Sequence, residues 1–186
     1  MIFVKASLII LFIFTTSALA QEGQAAKCAL TPDQLSQVPA LKGLWPGMTI
    51  EQVRAVVPTL EMGKKDELGL SKTSFSPDFN PKMNKAAFQG VRTVSLDFLD
   101  DKLFSVWLGY NETFNLKTVD EVVQAVTKSL KLAGAWETRN RGQQLKCGEF
   151  QIAVTMVAGS PTLRITNETI KETWEKRRTE MAEQEP

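Results

Sequence analysis

The stretch Val91–Tyr110, VRTVSLDFLDDKLFSVWLGY, decides the fold. Two runs rich in β-branched and aromatic residues flank Asp100-Asp101, a pattern that reads as an antiparallel hairpin. Side chains alternate faces along a strand, so the loop length decides which of them share a side. A three-residue loop, Asp100-Asp101-Lys102, sets Leu99 opposite Leu103, Phe98 opposite Phe104, Leu96 opposite Val106 and Val94 opposite Leu108, which gathers an apolar face. The other face then carries Thr93, Ser95, Asp97 and Ser105, with Trp107 alone among them. A large aromatic on a polar sheet face is the residue type favoured at protein-binding hot spots. The competing expectation is that a loop or the N-terminal segment covers Trp107.

Outward from the hairpin, two helix starts share one design. TIEQVRAVV at Thr49 and TVDEVVQAV at Thr118 each place a threonine three residues before a Gln or Glu, the capping-box spacing that satisfies free backbone amides at a helix start. Gly47 supplies the permissive backbone leading into the first cap, and Pro58 limits that short helix, whose apolar face is Ile50, Val53 and Val57. The second helix is longer, with Val119, Val122, Val123, Val126 and Leu130 on one stripe and Gly134 expected beyond its end. The recurrence predicts two tandem helix-plus-hairpin units at residues 43–110 and 112–166.

The second half repeats the strand logic. In EFQIAVTMVAGSPTLRIT, Phe150, Ile152, Val154 and Met156 alternate inward against Gln151, Ala153 and Thr155 outward. After a turn expected at Gly159-Ser160-Pro161, Leu163 and Ile165 point in and Arg164 out. Shorter strands are expected around Trp136–Thr138 and Gln144–Cys147, joined near Asn140-Arg141-Gly142. Asn167 can cap a charged C-terminal helix over residues 167–183, with a sparse stripe of Ile170, Trp174 and Met181 and a frayed far end. Ser71–Gly90 is rich in turn formers and reads as irregular, with Phe75, Phe79 and Phe88 offering partial packing.

The chain of 186 residues opens with MIFVKASLIILFIFTTSALA, one lysine, an apolar run and small residues ending in Ala20. That is the pattern of a cleavable signal peptide over residues 1–20, and the apolar run is short of the ~20 residues a membrane span needs. Residues 21–40 read as an N-terminal tail and residues 41–186 as one α+β domain, an antiparallel sheet with helices packed on one face. Loss of Lys5 takes the formal charge from +1 to neutral, which leaves no bulk attraction to nucleic acid or to an anionic membrane. The expected location is the periplasm or the extracellular space. In that oxidising setting Cys28 and Cys147, the two cysteines of the chain, are expected to bridge, the alternatives being free thiols or an intermolecular link.

The chain contains no histidine. This removes Ser-His and Cys-His nucleophile arrangements and histidine-based metal sites, and no phosphate-cradling glycine loop is present. Asp100-Asp101 reads as a turn rather than an acid/base pair. Asp78-x-Asn80 opens like a calcium loop, but Lys82 takes the next ligand position and the expected glycine and glutamate are missing. No catalytic residue, metal site or cofactor is therefore expected.

Gly47–Val53, GMTIEQV, resembles the Gly-Met-Thr-x-x-x-Val signature at the first helix of two related groups of exported bacterial proteins. These are the small lipoproteins of the outer-membrane barrel-assembly machine and the beta-lactamase inhibitor proteins built from two tandem helix-plus-sheet units. The resemblance implies capped helices on one sheet face and a free face for a protein partner. On the register above, that face carries Ser95, Asp97, Trp107, Thr155 and Arg164. Lys27 before Cys28 leaves no lipid attachment of the kind the lipoproteins carry. The expected activity is non-enzymatic binding of another exported or envelope protein. The competing class is a small-molecule or envelope-glycan binding module in which Trp107 or Trp136 stacks on a ligand near Ser71–Gly90.

Overall fold

A computed structural model describes residues 28–132 and 134–184, so the expected signal peptide lies outside the described residues. Three helices begin with the same reciprocal cap: the side chains of Thr31, Thr49 and Thr118 each accept from the backbone N–H three residues on, and Gln34, Gln52 and Glu121 accept from the threonine N–H in return. They start α1 (Pro32–Ser36), α2 (Ile50–Val56) and α3 (Val119–Leu130). The first of these caps falls in the segment read as a tail, and its helix inserts Leu35 into the core, with Val38 following just behind. Helix α3 closes on Lys131 in left-handed conformation, with Leu132 N–H bonding back to Thr127 O, three residues before the expected glycine.

Seven strands form one sheet: β1 (Leu70–Phe75), β2 (Val91–Leu99), β3 (Lys102–Tyr110), β4 (Glu137–Arg139), β5 (Gly142–Cys147), β6 (Phe150–Val157) and β7 (Ser160–Asn167). Their order is β1-β2-β3-β7-β6-β5-β4, and every neighbouring pair is antiparallel. The fold is α+β. β3 and β7 pair at the centre, with the strands that follow α2 on one side and those that follow α3 on the other. The segment expected to be irregular opens with edge strand β1. Of its three phenylalanines, Phe75 and Phe88 meet edge to face while Phe79 is 88 % exposed.

The hairpin differs from the expected register at its tip and agrees beyond it. Val94 faces Leu108 and Leu96 faces Val106 as predicted, but Phe98 faces Leu103 and Leu99 faces Lys102, so the loop is the two residues Asp100-Asp101. Both take left-handed φ, 48° and 66°, the turn whose twist suits a hairpin. A bulge in β3 restores the pairing further along, and it turns Phe104 to the face carrying Leu99. A similar correction holds at β6–β7, where the turn is Ala158-Gly159 with φ of 50° and 77° and Val157 already pairs with Ser160. The β4–β5 turn is Asn140-Arg141, and Met156 is half-buried rather than fully inward.

The main core lies between one sheet face and α1, α2 and α3. Leu35, Val53, Val122, Val126 and Leu130 meet Val94, Leu96, Phe98, Val106, Leu108, Ile152, Val154, Leu163 and Ile165 there. Helix α4 (Glu168–Gln184) corrects the expectation that all helices share a face. Its Ile170 and Trp174 pack on Leu70, Leu99 and Phe104, a small second cluster on the opposite side of the sheet. The bulge makes this possible by supplying Phe104 to that side.

Cys28 and Cys147 form an intramolecular disulfide with a sequence separation of 119 and Cα atoms 4.8 Å apart. It ties the chain before α1 to the end of β5, and bonds of this kind persist in oxidising compartments. Among the described residues no helix is long and apolar enough to cross a membrane.

Candidate functional site

Strand pairing assembles the polar face residue by residue. Ser74, Ser95, Trp107, Arg164, Ala153 and Gln144 lie opposite one another on six successive strands. At the usual strand spacing this row is roughly 24 Å long. Trp107 sits on interior strand β3, between Ser95 and Arg164, and is half-buried, while Arg164 is exposed. Among the described residues the indole is partly covered and partly open to solvent. Its ring lies over Gly109, where a Cβ would come within 2.9 Å of Trp107 Cη2. The glycine is therefore the seat that lets the indole lie low along the sheet.

Thr155 occupies the next row, with Thr162 and Gly109. Its hydroxyl is engaged by Thr162 Oγ1 at 2.7 Å, so it braces the sheet more than it addresses solvent. On the other side of the Trp107 row, Lys72, Asp97, Ser105, Thr166 and Gln151 form a third row. Of the five predicted residues, Ser95, Trp107 and Arg164 thus share one row of this face, with Asp97 in the row on one side of it and Thr155 in the row on the other.

Helix α4 divides this surface. Its departure from β7 is set at Asn167, whose Oδ1 accepts from Ile170 N–H at 3.0 Å and whose Nδ2 donates to Glu149 Oε2 at 2.9 Å. Glu168 N–H donates to Glu149 O at 2.7 Å, so the β5–β6 turn aims the helix across the polar face. Further along, Arg177 donates to Asp100 Oδ2 at 2.7 Å and to Leu68 O at 2.9 Å. Asp100 is held below the ordinary carboxylate range by the Arg177 hydrogen bond, and Arg177 is raised in turn.

Between α4 and the sheet lies a cleft of about 180 Å³. Asp97 and Arg164 line it, together with Lys72, Glu168, Lys171 and Trp174, which sequence reasoning did not assign to the site. Lys171 pairs with Glu168 at 3.4 Å. Trp174 Nε1 and Glu168 Oε1 are buried without a protein hydrogen-bond partner, an arrangement that costs free energy wherever it persists. The stripe Ile170-Trp174 was visible in the sequence, but nothing local says which sheet face such a short stripe covers. Trp136, the other predicted aromatic, lies away from this surface: it donates from Nε1 to Thr127 Oγ1 at 2.9 Å and packs, half-buried, against the main core. No family model, curated protein or solved structure matches this chain.

Proposed function

We propose that this is a non-enzymatic protein-binding module of the periplasm or extracellular space, which holds another exported protein on the polar sheet face around Trp107 and Arg164. The observation that carries the reading is the partly exposed Trp107, laid over Gly109 on an interior strand beside exposed Arg164. Trp and Arg are the residues most enriched at binding hot spots, and a paired central strand holds them with little ordering cost on association. The complementary partner surface offers an apolar or aromatic side chain to the indole and an acidic group to the guanidinium. The disulfide and the signal-like first residues support the location, and the lack of histidine supports a role without nucleophilic catalysis. The same reading takes residues 43–110 and 112–166 as two tandem units. It keeps the resemblance of Gly47–Val53 to the exported helix-plus-sheet proteins as its precedent.

The test is affinity capture from native envelope and culture medium with the wild-type protein and Trp107→Ala side by side, followed by cross-link mapping of the captured protein. The expected result is a partner retained by wild type, cross-linked near Arg164 and lost by the variant, with both proteins melting alike. Equal capture by both, or none by either, overturns the reading. One observation favours the small-ligand alternative: the cleft under α4 combines Trp174 with Asp97 and Arg164 in a concave site. Binding of envelope glycans by wild type that is lost in Trp174→Phe, with the sheet face unaffected, would move the function there.

A further inference from the structure

The helix-covered side of the sheet carries a cleft that binding at Trp107 does not use. It lies between the 3-10 turn Pro39–Leu41, the segment around Phe114 and Leu116, and α3, and has a volume of about 260 Å³. Its walls are largely apolar, with Val38, Phe114, Leu116, Val122 and Val126 contributing most of the side-chain carbon. The Phe114 wall is rigid. Its ring stacks on Tyr110 at 3.8 Å and 7°, and the buried Tyr110 hydroxyl donates to Ala40 O at 3.0 Å, which ties the wall to the opposite rim. Gly90 backs the same ring so closely that a Cβ there would lie 3.2 Å from it.

Lys42 is the single charged residue lining this cleft. It holds a left-handed backbone, φ 56°, that glycine would occupy at lower cost, and it is half-buried. Among the described residues it has no ion-pair partner, and burial holds its ammonium below the ordinary lysine range. A partly desolvated cation beside apolar walls is complementary to a molecule that brings one negative charge and a hydrocarbon body, because such a ligand returns a partner to the ammonium while burying its own apolar surface.

We propose that the cleft binds a small amphipathic monoanion, with its charged head on Lys42 and its apolar body against Phe114, Val122 and Val126. The volume falls just under the usual range for small-molecule pockets, which favours a small ligand. This site is on the other side of the sheet from Trp107, so it stands or falls independently of the protein-binding reading.

Octanoate is a suitable probe, titrated into the full disulfide-bonded protein below its aggregation limit and followed by calorimetry and by amide and methyl NMR shifts. The expected result is saturable binding with shifts at Leu116, Val122 and Val126. Octanol, which has the body without the charge, binds at least tenfold more weakly, and acetate, which has the charge without the body, does not saturate. Lys42→Met keeps the aliphatic stem and removes the charge, so it weakens octanoate at least tenfold and leaves octanol unchanged. Ala125→Phe fills the cleft and abolishes both; Ser129→Trp at its exposed rim serves the same purpose where the first variant folds poorly. Trp107→Ala binds octanoate like wild type. Absence of saturable binding, equal affinity for octanol, or full affinity in Lys42→Met overturns the proposal.

Discussion

Trp107 shows how much one residue depends on its neighbour. The alternation of Val91–Tyr110 was enough to put it on the polar face, and the pairing of Val94 with Leu108 and Leu96 with Val106 agrees. What alternation could not convey is the pose of the ring, which follows from the bare backbone of Gly109 two residues along the strand. Gly109→Ala is therefore expected to lift the indole rather than to unfold the sheet, because the atom a Cβ would meet is the far edge of a side chain with room to move. Tryptophan fluorescence recorded for Gly109→Ala in a Trp107-retaining background with Trp45, Trp136 and Trp174 replaced by Phe would show a red-shifted emission maximum, with Tm changed by only a few degrees from that background. An unchanged spectrum would mean that the ring does not rest on the glycine.

At the scale of elements, the three capping boxes are local, and those at Thr49 and Thr118 were legible from a Thr followed three residues later by Gln or Glu at the head of an apolar stripe. Thr31-Pro-Asp-Gln has the same spacing, yet it stood next to a signal-like leader and read as tail; its helix is recognisable only through Leu35, which has no local reason to be buried. Helix α4 is the opposite case, a helix correctly expected but assigned to the wrong side. Its docking on Leu70, Leu99 and Phe104 requires the β3 bulge, and its far end is held by the Arg177–Asp100 pair. Asp100 has a depressed folded-state value, so the pair contributes stability above the ordinary aspartate range and loses it as pH falls from about 4 through the folded value. The Tm difference between wild type and Asp100→Asn should be constant from pH 6 to 5, be at most a few degrees for a pair this exposed, and shrink below about pH 4. A difference that grows on acidification would rule out this account of how α4 is held.

For the whole molecule, the disulfide acts where no single element does. It joins the segment that leads into α1 to the turn after β5, the turn whose Glu149 also directs α4. A sequence separation of 119 residues corresponds to a stabilisation of about 5 kcal/mol in the chain-entropy account. The Cys28→Ala/Cys147→Ala double variant should lower the urea midpoint at least accordingly, because Cys147 is itself a buried member of the main core, while leaving the β3–β7 centre folded, since neither cysteine lies on those strands. Native-state iodoacetamide labelling of the wild-type cysteines without reductant, or an unchanged midpoint in the double variant, would contradict this.

What the sequence determined by itself was everything carried by short-range periodicity and stereochemistry: the strand alternation that put Val94, Leu96, Ile152, Val154, Leu163 and Ile165 inward, the threonine caps of α2 and α3, and the cysteine pair. The tertiary structure decided the strand order, the side taken by α4 and the union of Asp97 and Arg164 with Lys171 and Trp174 in one cleft. The pairing of β3 with β7 joins segments far apart in the chain, and the bulge at Phe104 is a choice between two loop lengths of similar local cost. Both are resolved by which arrangement buries more apolar surface across the whole sheet, a quantity that no window of sequence contains.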